Sequence, residues 1–170
     1  MRTIKGIAVI LIVTLVLLGC NLVEKRVDIE SSTVVSPAPD KFTVVRLQPS
    51  DGQLEDLLRT EAQKAKAAGR TPFVEFYADW CGPCNALRKS LNDERMIDAF
   101  AGTYIIQLNI DNWQDSLGGT GFVVDSIPMI FALDKDGQPT GRTITGAAWG
   151  EDIPENMAPP LKSFFQGQES

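Results

Sequence analysis

Phe73-Val74-Glu75-Phe76-Tyr77-Ala78-Asp79-Trp80-Cys81-Gly82-Pro83-Cys84 is the stretch on which the reading of this chain turns. Residues 73–78 are apolar or aromatic apart from Glu75, which reads as a short strand buried on both faces. Asn85 to Leu91 continues a helix that starts near Cys81, so both cysteines fall where a strand hands over to a helix. At a helix start, residues three apart lie about 5–6 Å from each other, a separation that a disulfide tolerates. Cys81 sits at the helix mouth, where free N–H groups and the positive end of the helix dipole favour a thiolate. Cys84 lies one turn deeper and is expected to stay protonated. The pair predicts dithiol chemistry, with Cys81 as the nucleophile that opens a substrate disulfide and Cys84 as the thiol that resolves the mixed disulfide. Pro83 presets φ in the first turn, where its missing N–H has no helical acceptor to lose.

Outward from this stretch, strand and helix signals alternate. Phe42 to Leu47 is a β-branched run, hence a strand. Ser50 or Asp51 is a cap for a helix with Leu54, Leu57, Leu58, Ala62 and Ala65 on one face and Gly69 as its stop. Asn92 or Asp93 restarts a short helix carrying Met96, Ile97 and Phe100 and ended by Gly102. Tyr104 to Ile110 is nearly continuous in apolar residues and reads as a central strand. Met129 to Leu133 is a fourth strand, Asp134-Lys135-Asp136-Gly137 a hairpin turn, and Arg142 to Thr145 its antiparallel partner. Pro159-Pro160 is expected to open a last helix containing Leu161, Phe164 and Phe165. The pattern is that of an α/β protein with a mixed sheet.

These residues resemble the thioredoxin family. The opening stretch looks like that family's active-site strand and motif. The likeness continues through Leu108-Asn109-Ile110-Asp111, Ser126-Ile127-Pro128, the Asp136-Gly137 turn and Gly146, covering about residues 42–166. The resemblance implies a thioredoxin fold, a central mixed β-sheet flanked by helices, over residues 41–168. It implies that Pro128 is the family's cis-proline, set against the disulfide, and that Trp80, Gly82, Pro83, Ile127, Gly146 and Ala147 line a shallow substrate groove. Glu75 stands where the family has a buried Asp, so it is expected to have a raised pKa and to relay a proton to or from Cys84. The sequence also departs from the pattern. Gln107 stands where the family has a Lys, so Glu75 is expected to lack a charge partner. Met129 stands where Thr is usual. The segment 111–124, with Trp113 and Gly118-Gly119, is longer than a minimal loop and reads first as a surface insertion, second as a determinant of partner choice.

The N-terminus carries an address. Arg2 and Lys5 precede the apolar run Ile7 to Leu18, which at twelve residues is short of the roughly 20 that span a bilayer. A basic start, a short apolar centre and a small residue at the end make a secretory signal. Leu17-Leu18-Gly19-Cys20 resembles the bacterial lipobox, which implies a signal peptide over 1–19, cleavage before Cys20 and lipidation of its thiol. Several acyl chains, at about 0.8 kcal/mol per buried CH2, make such an anchor effectively permanent. Residues 20–40 hold the lipidated Cys and a polar tether with Ser31-Ser32, Ser36-Pro37 and Pro39-Asp40. As a flexible coil, twenty residues reach about 25 Å. The expected location is the bacterial envelope, facing the periplasm. Asn21 after the Cys favours the outer membrane over the inner.

Composition narrows the chemistry. The 170 residues contain no His, which removes imidazole-based triads, and the net charge of −6 argues against nucleic acid. Of three cysteines, Cys20 is claimed by the lipid, and two thiolates are too few for a zinc site, so no metal and no cofactor are expected. The function that follows is a membrane-anchored thiol–disulfide oxidoreductase reducing protein disulfides. Its expected partners are disulfide-containing envelope proteins and a membrane-embedded thiol electron donor, and the chain is expected to act as a monomer. Two alternatives stand beside this reading: an envelope dithiol oxidase or isomerase, and a non-catalytic binding or chaperone module with an inert Cys81–Cys84 pair. Gly82-Pro83 resembles the reducing members, yet thiol–disulfide proteins of this kind span about 150 mV in potential.

Overall fold

A computed structural model describes residues 42–167. The expected signal peptide, Cys20, the tether and the outermost residues of the expected 41–168 domain lie outside the described residues. Within them the elements run β1 (Thr43–Leu47), α1 (Leu54–Ala67), β2 (Thr71–Tyr77), α2 (Gly82–Ser90) and α3 (Glu94–Phe100). They continue as β3 (Thr103–Asn109), α4 (Ile110–Trp113), β4 (Met129–Leu133), β5 (Pro139–Thr145) and α5 (Pro154–Phe165). The sheet order is β1-β3-β2-β4-β5. β1 and β2 run parallel to β3, whereas β4 is antiparallel to β2 and β5 to β4. The sheet is thus mixed, as expected. β3 is an interior strand, buried at every residue, but the midline belongs to β2, the strand that leads into Cys81.

Alternation along the strands divides the core into two layers. Val74, Phe76, Ile106, Leu108 and Phe131 pack with Leu54, Leu58 and Ala65 of α1. Phe73, Ile105, Ile130 and Ala132 pack on the other face with Met96 and Phe100 of α3 and with Met157, Leu161 and Phe165 of α5. There the Phe165 ring lies 4.8 Å from Phe73 and 4.7 Å from Phe100, both edge-on. Each such side chain contributes about 1.5–3 kcal/mol on burial. These two layers hold β2 rigid at the centre of the sheet, and β2 delivers the redox pair.

Three local expectations are corrected. Gln53, not Ser50 or Asp51, stands at the N-cap position of α1, and its side chain makes no capping hydrogen bond. Pro49–Asp51 forms its own 3-10 turn, in which the Asp51 carboxylate accepts the Gln48 N–H at 2.7 Å. α5 starts at Pro154 and carries Pro159 and Pro160 inside it. Two helical hydrogen bonds are lost to those prolines, and the burial of Met157 and Ala158 in the α3–α5 layer offsets the loss. The segment 111–124 is no mere surface insertion. Trp113 is 1% exposed and its Nε1 donates to the Leu47 carbonyl at 3.2 Å. Phe122 sets its ring 5.4 Å from Phe76 and 5.1 Å from Phe131. The segment closes the α1-side layer.

Gly137 satisfies two demands at once. Its φ of +81° makes the β4–β5 turn, and a Cβ there would come within 2.6–2.7 Å of the Leu58 and Arg59 backbone of α1. Only glycine allows both the turn and the close approach.

Candidate active site

β2 ends at Tyr77, and the chain turns through Ala78-Asp79-Trp80 into α2, with Cys81 as the helix cap. The turn is held by the Cys81 N–H donating to the Ala78 carbonyl at 3.2 Å, and by Asn85 Nδ2 donating to the Asp79 carbonyl at 2.9 Å. Cys81 and Cys84 form a disulfide with Cα atoms 5.3 Å apart. The backbone N–H of Cys84 donates to Cys81 Sγ at 3.2 Å, so the outer sulfur takes the place of a capping side-chain oxygen. On reduction, that N–H and the helix dipole would face a thiolate. Cys81 is 4% exposed and Cys84 fully buried. What little surface the pair leaves to solvent therefore belongs to Cys81, framed by exposed Gly82 and Pro83.

The peptide bond between Ile127 and Pro128 is cis. It brings the Ile127 carbonyl oxygen to 3.7 Å from Cys81 Sγ. The Gly146 N–H donates to the Pro128 carbonyl at 3.2 Å, and a Cβ on Gly146 would meet the Pro128 ring at 3.4 Å. The structure thus gathers Cys81, Cys84, Ile127, Pro128 and Gly146 in one place. Ala147 is exposed on the 3-10 turn after β5, without a contact that ties it to the disulfide.

Trp80 is 71% exposed, and its indole Nε1 donates to Asp111 at 3.0 Å. Asp111 is placed in turn by Asn109, whose side-chain oxygen accepts the Asp111 N–H at 3.0 Å and whose Nδ2 donates to Asp79 at 3.3 Å. The sequence alone does not mark Asn109 or Asp111 as site residues, although both lie inside Leu108-Asn109-Ile110-Asp111. Together they hold Trp80 from the C-terminal end of β3 and the start of α4.

Glu75 is 4% exposed, on the same face of β2 as Phe73 and Tyr77. Gln107, its register partner on β3, donates from Nε2 to Glu75 Oε2 at 2.9 Å. Burial pushes the Glu75 carboxyl above its ordinary value of 4.5, opposed by that hydrogen bond and by the charges of Arg88 and Arg46. The expectation that Glu75 has no charge partner is therefore corrected. Arg46 on β1 and Arg88 on α2 each hold a guanidinium 4.9 Å from the Tyr77 ring centre, two residues along from Glu75. Neither was singled out in the sequence, because strand pairing and helix packing bring them there from 29 positions before and 13 after Glu75. Among the described residues, no group of three His, Cys, Asp or Glu is placed to hold a metal ion.

Comparison with known proteins fits this geometry. Residues 59–159 match the family model described as Thioredoxin. The thioredoxin-like protein HCF164, chloroplastic, of Oryza sativa subsp. japonica is 32% identical over 109 residues, 61% of this chain and 40% of that protein. The thiol:disulfide interchange protein DsbD of Salmonella paratyphi A is 29% identical over 134 residues, 75% of this chain and 22% of that protein. The chain thus spans less than half the length of either relative. Among solved structures, the disulphide isomerase from Xylella fastidiosa Temecula1 superposes with a TM-score of 0.51 at 19% identity, over 68% of this chain and 91% of that one. At that identity the likeness speaks for the fold.

Proposed function

The chain belongs to the thioredoxin family of thiol–disulfide oxidoreductases, and on that premise we propose that it is a membrane-anchored reductase of protein disulfides in the bacterial envelope. The observation that carries the proposal is the placement of Cys81: its sulfur caps α2, accepts the Cys84 N–H, and lies beside the carbonyl that the cis Ile127–Pro128 bond presents.

The reaction runs in two exchanges. The Cys81 thiolate attacks one sulfur of a substrate disulfide, forming a Cys81–substrate disulfide and releasing the other substrate sulfur, which takes a proton. Cys84 then gives up its proton, with the Glu75 carboxylate as its acceptor, and attacks Cys81 Sγ. The second substrate sulfur leaves as a thiol, and the Cys81–Cys84 disulfide is formed. Two electrons have passed to the substrate, and a membrane-embedded dithiol donor returns them. Trp80, Gly82, Pro83, Ile127, Gly146 and Ala147 form the proposed docking surface, with the Ile127 backbone as its polar edge.

The anchor is proposed on sequence grounds. Leu17-Leu18-Gly19-Cys20 supports lipidation of Cys20, and Asn21 supports the outer membrane. Labelled fatty acid should enter the wild type and not Cys20→Ala.

The test of function is trapping. In Cys84→Ser, Cys81 should accumulate mixed disulfides with envelope proteins that a reductant releases. An empty trap, under conditions where the wild type cycles between its redox forms, would contradict the proposal. Equilibration with glutathione buffers tests direction, since a potential near those of strong disulfide donors would favour the oxidase reading.

A further inference from the structure

The residues that cross the sheet at the level of Glu75 form a polar row. In register they are Arg46 on β1, Gln107 on β3 and Glu75 on β2, followed by apolar Ile130 on β4. Hydrogen bonds join them. Arg46 Nη2 donates to Gln107 Oε1 at 3.1 Å, and Gln107 Nε2 donates to Glu75 Oε2 at 2.9 Å. Gln107 is buried, whereas Arg46 lies exposed on an edge strand.

A guanidinium has donors only, so the one group of an amide that can face it is the carbonyl oxygen. With Gln107 Oε1 committed to Arg46, its NH2 must face Glu75. We infer that Arg46 is a positioning residue for Glu75: by holding the Gln107 amide in one orientation, it keeps a donor on Glu75 Oε2 and leaves Oε1 as the oxygen that exchanges a proton. This rests on the proposed role of Glu75 as the acceptor for Cys84. Freed from Arg46, the amide can turn and offer its carbonyl to the carboxyl. That arrangement suits only the protonated acid, since two acceptors cannot share a bond without a proton.

The other groups around Glu75 are Arg88 from α2, Tyr77 further along β2, and Asp79 beyond it, which Arg88 approaches at 3.7 Å. Arg88 acts on Glu75 without Gln107, so it stays in place when Arg46 is changed. The charge of Arg46 also acts on Glu75 directly, so its effect through Gln107 is isolated by comparison with a background that lacks the Gln107 amide.

The experiment follows the Glu75 carboxyl signal by carbon NMR through a pH titration of the reduced full chain. In parallel it measures the pH profile of the step in which Cys84 resolves a mixed disulfide. Arg46→Met should raise the carboxyl midpoint by about one unit and move the corresponding limb of the rate profile with it. Arg46→Lys, which keeps a donor-only cation, should restore most of the wild-type behaviour. In a Gln107→Met background, Arg46→Met should shift the midpoint by clearly less, leaving only the direct effect of the lost charge. A midpoint unmoved by Arg46→Met, or a shift of equal size in the Gln107→Met background, overturns the inference. Glu75→Gln separates the two readings. If it leaves the rate limb in place, the relay role of Glu75 fails, while the carboxyl titration of Arg46→Met still decides whether Arg46 positions that group.

Discussion

Cys81 Sγ stands 3.7 Å from the carbonyl oxygen of Ile127, the residue joined to Pro128 by a cis peptide bond. Forty-six positions separate the two residues in the chain, and the β2–β4 pairing closes that gap. In the proposed reaction, an extended substrate segment laid along Ile127 would bring its own sulfur to Cys81.

Trp80 offers the plainest separation of docking from stability. Its ring is exposed, held at one point by Asp111. Trp80→Ala should change the thermal midpoint little, since surface substitutions stay within about 0.5 kcal/mol. It should raise KM for a protein disulfide about tenfold, as loss of an aromatic anchor does. Calorimetry together with steady-state kinetics checks both halves. A large stability loss with an unchanged KM would make Trp80 a structural residue.

Glu75 should make stability depend on pH in an unusual direction for a carboxylate. Burial raises its pKa in the folded chain above 4.5, so between the unfolded and folded values the native state binds more protons. Stability from this group is therefore highest below about pH 4.5 and falls as pH rises through the folded value. Glu75→Gln keeps an acceptor for Gln107 without the charge. It should melt above the wild type at pH 8, and the difference should shrink towards pH 4.5. Melting curves across that range check the sign.

Much of this was legible because it is local. The apolar strand before Cys81 and the turn ending at Gly137 declare themselves within a few residues, and the cap of α3 is narrowed there to Asn92 or Asp93, of which the structure uses Asp93. What escaped was decided at long range. Pro159-Pro160 has the local signature of a helix start, but the burial of Met157 and Ala158 carries α5 back to Pro154. The segment around Trp113 and Phe122 reads as a surface loop until the Leu47 carbonyl and the Phe76 and Phe131 rings are in view. The loss of the family's Lys at position 107 suggested an isolated acid at Glu75. Packing supplies two arginines from β1 and α2 instead.

Gly137 should tolerate change poorly. Gly137→Ala forces a Cβ into the α1 backbone as well as a positive φ, and about 2–4 kcal/mol of stability should be lost. Gly150→Ala has a similar φ of +74° but open space around it, and should lose only about 1–2 kcal/mol. Denaturant titrations of the two variants compare the steric and conformational costs directly.

Timed alkylation of the reduced full chain with iodoacetamide decides whether Cys81 is the attacking sulfur and Cys84 its sheltered partner. Mass spectrometry identifies the residue modified at each pH. Cys81 should be labelled first, and already at pH 6, where an ordinary thiol is almost wholly protonated, while Cys84 stays unmodified. Labelling of Cys84 first, or of both at the slow rate of ordinary thiols, would contradict it.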